Sequence, residues 1–402
     1  MYFNEKLVLP VFYIVKEVLI EKKNADKSIQ FYFQKKTTLK PEEKEFIADL
    51  VYGLLKNWRL LQESFGQSTG YILKHPFAFL PSYYLNEKME LPAELKRVTF
   101  NKWEFNERLE KNLQERKLKY SYPDDLDQYC LNDLGEEKWN SIAEALHQEA
   151  PRYIRINSLK TNKLHLIPQL QKSKLIVKEV EVCNSAIEIL SSQPLFSLPS
   201  FREGMFEIQD VASQLVSEFI DPMPGEKVID ACAGTGGKSL HISCLTQNKG
   251  KVISMDITEK KLDQLKKRAA RANAQNIETR LIDGEKTIKR YHDFADKLLL
   301  DVPCSGTGVF KRNPDAKWKI TSASILNLIN TQKEILDRYS KMCKPGGIMV
   351  YANCSVLPSE GETQVIDFLK RNPGWELIKE KRIHPDEIRA DGFYMARLKR
   401  LS

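Results

Sequence analysis

The chain has 402 residues, with 62 Lys and Arg against 54 Asp and Glu for a formal net charge of +8, and 42% of its residues are hydrophobic. That length exceeds one small core and calls for two or three domains, while the charge permits a polyanionic partner without requiring one. No apolar run reaches the length of a bilayer span. The apolar N-terminal stretch, broken by Pro10 and Lys16, lacks the basic start and small-residue cleavage site of a signal peptide. The seven cysteines (130, 183, 232, 244, 304, 343 and 354) include no Cys-x-x-Cys pair, so neither zinc nor a disulfide framework is expected, and the setting expected is a reducing cytoplasm.

Residues 1–145 read as helical. Apolar residues recur at three- and four-residue spacings in LVLPVFYIVKEVLI (7–20) and in PEEKEFIADLVYGLLKNWRLLQESF (41–65). Thr38, Pro41 and the acidic pair Glu42–Glu43 predict a helix start. Residues 146–205, which include PRYIRINSLKT (151–161), predict a linking α/β subdomain, and 206–402 a third domain. There GEKVIDAC (225–232), GKVISMDI (250–257), IETRLIDG (277–284), ADKLLLDVP (295–303) and GGIMVYANCS (346–355) read as strands, with helical patterns between them. The alternation predicts a parallel sheet with helices on both faces, and in such sheets the ligand lies beyond the carboxyl ends of the strands. Charge is uneven: residues 101–150 carry 7 basic against 12 acidic side chains, and 251–350 carry 20 against 12.

The stretch DACAGTGGKS (230–239) ends like a loop that wraps nucleotide triphosphates, and LLLD (298–301) resembles the magnesium-binding strand of such ATPases. Two observations favour another cofactor. The first glycine of a P-loop is replaced by Cys232, and Asp256 closes the next strand nineteen residues after Gly237, where an acid bonds a ribose diol. Asp283 ends the third strand, placed to accept from an adenine amino group. Loop, ribose acid and adenine acid describe an adenosine held without a triphosphate.

Dinucleotide oxidoreductases share that layout but leave two cysteines unexplained. Cys304 in DVPCSGTG and Cys354 in YANCS both follow strand ends on adjacent crossover loops. A single cysteine is ordinarily a small buried hydrophobe, which serves for Cys130, Cys183, Cys244 and Cys343. Two converging on one pocket mouth point to a thiolate nucleophile. The residues alone do not choose between them, and the Pro303–Cys304 pair is the arrangement used by DNA cytosine methyltransferases.

With these motifs in view, the chain resembles the 5-methylcytosine RNA methyltransferases of the Nop/Sun class, and within them the bacterial ribosomal RNA small subunit methyltransferase B family. DACAGTGGK is similar to the family's cofactor loop, DVPCSGTG followed by RNPDAKW to its most specific motif, YANCSVLPSEGE to its nucleophile motif and DGFYMARLKR to its closing strand. PRYIRINSLKT and FEIQDVASQLV resemble the segment before the catalytic fold, and EKEFIADLVYGLLKNWRLL a NusB-like RNA-binding domain. The chain departs from the pattern at Thr235, where proline is usual, and at Asn353, where threonine is usual. The first departure bears on loop stiffness and the second on polarity beside the nucleophile.

The resemblance implies an α/β fold, the Rossmann-like class I methyltransferase sheet of seven strands with the last antiparallel, preceded by an all-α NusB-like domain. It implies S-adenosylmethionine as cofactor, bound by Cys232, Ala233, Gly234, Thr235, Gly236, Gly237, Lys238, Asp256, Asp283 and Asp301. It assigns attack on the cytosine ring to Cys354 and product release to Cys304. Asp301 would reach the cytosine edge or the methionine end of the cofactor, or else cap its strand. KRNPDAKWK (311–319) would contact phosphate and stack Trp318 on a flipped base, or else form an exposed basic turn. Ser359 and Glu362 form a capping-box pattern with a structural role only. The partner implied is ribosomal RNA, with no DNA and no membrane, and the chain is expected to be a monomer. Other readings are a tRNA cytosine methyltransferase, a P-loop ATPase and a non-catalytic RNA-binding protein.

Overall fold

The structure is a computed structural model that describes residues 3–401. The chain divides into two compact units. The first takes the chain up to Gln148 together with Phe310–Ser322, and the second takes Glu149–Val309 and the chain from Ala323 onward.

The first unit is helical. Its longest helix, Pro41–Phe65, buries Ile47, Leu50, Val51, Leu54, Trp58 and Leu61 along one face, the three-and-four spacing that an amphipathic helix requires. Pro41 sits at the first helical position, and the Lys40 N–H donates to Glu43 Oε2 at 2.9 Å. Lys40 is therefore the cap, and Thr38 lies outside the helix start. The helix Val8–Leu19 packs Val8, Val11, Ile14, Val15 and Val18 into the same core. Pro10 falls in its first turn, where a backbone N–H has no partner in any case.

Residues 310–322 overturn both readings of KRNPDAKWK. The run is neither an exposed turn nor a stacking surface, because it completes the helical unit. The Trp318 indole packs against the helical core and donates to the Leu55 carbonyl at 2.8 Å. Lys317 is buried, its ammonium donating to the carbonyls of Lys56 at 2.7 Å and Tyr120 at 2.9 Å. Buried Asp315 accepts the Ala25 N–H at 3.1 Å and pairs with Lys319. A lysine this deep is tolerated only when its donors are matched, and carbonyls do that here.

The second unit holds two sheets. Strands β1 (Arg152–Ile156), β2 (Val177–Glu179), β3 (Ala186–Ile189) and β4 (Phe206–Ile208) form an antiparallel sheet in the order β2-β3-β1-β4. Strands β5 (Lys227–Asp230), β6 (Lys251–Asp256), β7 (Ile277–Leu281), β8 (Ala295–Asp301), β9 (Cys343–Asn353), β10 (Trp375–Ile383) and β11 (Phe393–Arg400) form the seven-stranded sheet, ordered β10-β11-β9-β8-β5-β6-β7. The five strands read from the sequence are β5 to β9. They pair in parallel, while β11 runs antiparallel to both β9 and β10, as the resemblance implied. The order reverses between β5 and β8, which opens a crevice at their carboxyl ends.

Candidate active site

The cofactor loop leaves β5 at Asp230 and enters the helix Gly237–Leu245. Two contacts fix its path: the Ala233 N–H donates to the Met255 carbonyl at 2.8 Å, and the Gly234 N–H to Asp256 Oδ2 at 3.0 Å. Asp256, at the end of β6, also accepts the Thr258 N–H on Oδ1 at 2.8 Å, so its carboxylate is oriented before any ligand arrives. A Cβ on Gly234 would meet nothing within 4 Å, so the loop faces open space there. Gly236 is needed for another reason. It caps the helix at φ +89°, and a Cβ would lie 2.4 Å from Leu265, so this glycine serves packing and handedness.

Thr235 stiffens the loop without proline. Arg268 donates from Nη1 to both the carbonyl and the hydroxyl of Thr235, each at 2.9 Å, and from Nη2 to Glu207 Oε2 at 2.8 Å. Cys232 is half-buried, and burial pushes its thiol well above the ordinary range, with the charges of Asp230, Asp301 and Asp256 adding to the effect. Asp283 is exposed just beyond β7 and accepts the hydroxyl of Thr287.

Cys304 and Cys354 follow the carboxyl ends of β8 and β9, which are neighbours, and their sulfurs lie 3.4 Å apart. The Gly308 N–H donates to the Cys354 carbonyl at 2.9 Å, and the Gly392 N–H to the Gly308 carbonyl at 2.9 Å. A Cβ on Gly308 would come within 2.2 Å of the Gly392 carbonyl, so only glycine lets these loops close on one another. The hydrogen bond with Cys354, then burial, then the charges of Cys354 and Glu360 push the Cys304 thiol well above the ordinary range.

Asp301 is not a strand-end cap. Its Oδ2 accepts the Lys238 ammonium at 2.6 Å. Burial works to lower the Lys238 pKa, but the charge and hydrogen bond of Asp301, with charge at Cys354, leave it above the ordinary value. A lasting cation therefore stands within electrostatic reach of Cys354. Asn353 puts a hydrogen-bonded amide beside Cys354. It is fully buried, with Nδ2 donating to the Glu360 carbonyl at 2.8 Å and Oδ1 accepting the Ser355 N–H at 2.9 Å. The Glu362 carboxylate pairs with Arg382, and its helix starts after Gly361.

Several supporting residues escaped the sequence reading. Arg155 on β1 is fully buried and donates to the Gly237 carbonyl at 2.6 Å, which ties the small sheet to the loop. Its signal was an arginine inside the apolar strand YIRI. Asp230 is buried, accepts the Ser239 hydroxyl at 2.6 Å, and is pushed up to about 7, chiefly by burial. Glu360 and Gln332 are buried behind the two cysteines.

Sheet order and site together define the catalytic domain of a class I methyltransferase fold. The family model described as 16S rRNA methyltransferase RsmB/F matches residues 217–399, and one described as the RsmF/B-like ferredoxin-like domain matches 118–195. The ribosomal RNA small subunit methyltransferase B of Yersinia enterocolitica is 31% identical over 292 residues, covering 70% of this chain and 64% of that protein. The protein of the same name from Vibrio vulnificus is 34% identical over 275 residues, covering 66% and 64%. The alignments thus span 64% of these curated relatives. In fold, the crystal structure of PH0851 covers 100% of both chains with a TM-score of 0.82 at 22% identity. Residues 217–399 thus match the RsmB/F methyltransferase family, and the chain is similar to the ribosomal RNA small subunit methyltransferases B.

Proposed function

We propose that this protein methylates carbon 5 of a cytosine in small-subunit ribosomal RNA, with Cys354 as nucleophile and Cys304 as the release group. The observation that carries the reading is the pair of thiols 3.4 Å apart beside the Lys238–Asp301 ion pair, at the crevice where the cofactor loop ends. The residues fit S-adenosylmethionine. The open space over Gly234, the loop and the preset Asp256 carboxylate suit a ribose with a short charged tail, and no first glycine is present to wrap phosphates. Loop residues 232–238, Asp256 and Asp283 would hold it, with Asp301 and Lys238 facing the reacting end.

When bound, the cofactor supplies an electrophilic methyl group. Carbon 5 of cytosine is a poor nucleophile, so the thiolate of Cys354 first adds to carbon 6, and carbon 5 becomes enamine-like and takes the methyl group. Loss of the carbon 5 proton to solvent water then restores the double bond between carbons 5 and 6 as the bond from carbon 6 to the sulfur breaks. Cys304 serves that departure by donating its thiol hydrogen to the leaving sulfur. The Lys238 cation stands within electrostatic reach of the Cys354 sulfur. The helical unit supplies RNA contacts, as a NusB-like domain would, through its exposed faces and not through 311–319. Methyl transfer from labelled S-adenosylmethionine to ribosomal RNA, followed by bisulfite sequencing, tests the reading. One protected cytosine in small-subunit RNA is expected, and label in transfer RNA alone overturns the substrate.

A further inference from the structure

We infer that Glu360 is a positioning residue for the two-thiol centre: its buried carboxylate holds the Cys304 loop while its main-chain carbonyl holds the turn before Cys354, so that the two sulfurs meet. The inference rests on the roles proposed above for those cysteines. Glu360 ends the short turn Pro358–Glu360, six residues after Cys354, and is fully buried. Its Oε1 accepts the Ser305 N–H at 2.9 Å and the Gln332 side-chain amide at 2.9 Å, and its Oε2 accepts the Ser305 hydroxyl. The same Gln332 amide nitrogen donates to the Pro303 carbonyl at 3.0 Å. Both neighbours of Cys304 are therefore tied to one carboxylate, Ser305 directly and Pro303 through Gln332.

The main chain of Glu360 acts on the other loop. Its carbonyl accepts the Tyr351 hydroxyl at 2.7 Å and the Asn353 amide at 2.8 Å, and Asn353 immediately precedes Cys354. Ser305 and Ser355, the residues that follow the two cysteines, have hydroxyls 3.3 Å apart. Separate crossover loops seldom hold two side chains to a few tenths of an ångström unless buried groups lock them.

A neutral amide could tie the same loops, so the charge needs its own account. Among the described residues Glu360 forms no ion pair with lysine or arginine. Its charge is held by neutral donors alone, which costs free energy unless every donor is in place. That charge faces Cys304. The titratable groups facing Cys304 are Cys354, Glu360 and Tyr351, and Cys354 faces Cys304 and the Lys238–Asp301 pair. The Tyr351 phenol is pushed up by burial, then by Glu360 and Cys304, and stays neutral. The Glu360 carboxylate thus adds to the upward push on the Cys304 thiol, while the Lys238 ammonium interacts with Cys354.

The test uses the full chain with Glu360→Gln, Glu360→Asp and Gln332→Ala. Calorimetry with S-adenosylmethionine checks that each variant folds, and iodoacetamide alkylation of Cys304 and Cys354 is followed separately by peptide mass spectrometry across pH. Glu360→Gln should leave cofactor affinity unchanged and move Cys304 alkylation to lower pH. It should also lower kcat roughly 10- to 100-fold at unchanged KM for RNA, the size of loss that small misplacements cause. Glu360→Asp keeps the charge but not the reach, so the Cys304 pH profile should stay put while kcat falls. Gln332→Ala removes the amide that links Glu360 to Pro303 and should lower kcat several-fold at constant KM, which keeps the idea testable if Glu360→Gln does not fold. Wild-type kcat in Gln332→Ala, or a wild-type Cys304 profile and kcat in Glu360→Gln, overturns the proposal. If the wild-type chain methylates no RNA, the functional reading fails, and the alkylation profile still decides the role of Glu360.

Discussion

In the helical unit, Ile47, Leu50, Val51, Leu54 and Leu61 form an apolar face with no exposed surface, and aromatic edges such as Phe12 on Phe79 and Phe65 on Phe79 fill what remains. At the carboxyl ends of β8 and β9 the buried side chains include the polar set Ser305, Thr307, Asn353, Ser355 and Glu360, joined by hydrogen bonds. Apolar burial is non-directional and tolerates small shifts, whereas a buried polar network loses its value if one partner moves. Stability is therefore built where the first arrangement dominates, and sulfur geometry where the second does. The segment 310–322 mixes the two, with Trp318 packed on apolar side chains and Asp315 and Lys317 bonded to backbone.

That contrast can be broken most strongly from the apolar side. Phe46→Ala removes a ring buried in the helical core and should cost about 3–5 kcal/mol, read as a lower unfolding midpoint. Cofactor affinity should stay within about twofold, and a parallel loss of affinity would mean that the two units are not separately built. Asp256→Ala should do the reverse. It removes the preset acceptor at the end of β6 and should weaken cofactor binding by roughly 1–3 kcal/mol, with the unfolding midpoint little changed. Unchanged affinity by calorimetry refutes the ribose assignment.

Asp230 sharpens the contrast through pH. Its folded pKa of about 7 lies above the ordinary aspartate value of 3.8, so between the two the folded chain holds a proton that the unfolded chain has released. Its contribution is fully present below about pH 4 and is lost as pH rises through about 7. Asp230→Asn can still accept the Ser239 hydroxyl and cannot ionise, so its stability relative to wild type should climb across that window, by something on the order of 1–3 kcal/mol. Parallel urea midpoints at pH 5 and pH 8 contradict this. The smallest effect is expected of Arg268→Ala, which frees Thr235 and should cost about 1 kcal/mol of cofactor affinity, roughly fivefold. A loss equal to that of Asp256→Ala would show the clamp to be more than a stiffener.

The strands β5 to β9 could be read from the sequence because each is an apolar run closed by aspartate, glycine or cysteine. Strand β10 could not, because WELIKEKRI is largely exposed at the sheet edge and carries no buried pattern. Both cysteines, the loop and Asp256 were legible because they lie within short motifs at strand ends. The place of Lys317 and Trp318 was not, since their acceptors Lys56 and Leu55 stand 261 and 263 residues away. Glu360 was hidden for the same reason: its partner Ser305 lies 55 residues upstream, and nothing local marks a glutamate as buried. Local pattern reveals which face is apolar, and polar ties across the chain appear only once the sheet has brought the loops together.

The central claim is that Cys354 attacks and Cys304 releases, and one gel tests it directly. Labelled RNA is incubated with S-adenosylmethionine and either Cys354→Ala or Cys304→Ala, then run under denaturing conditions. The account predicts a protein–RNA adduct that accumulates with Cys304→Ala and is absent, together with all methylation, with Cys354→Ala. An adduct that persists in Cys354→Ala and vanishes in Cys304→Ala would contradict it and make Cys304 the nucleophile.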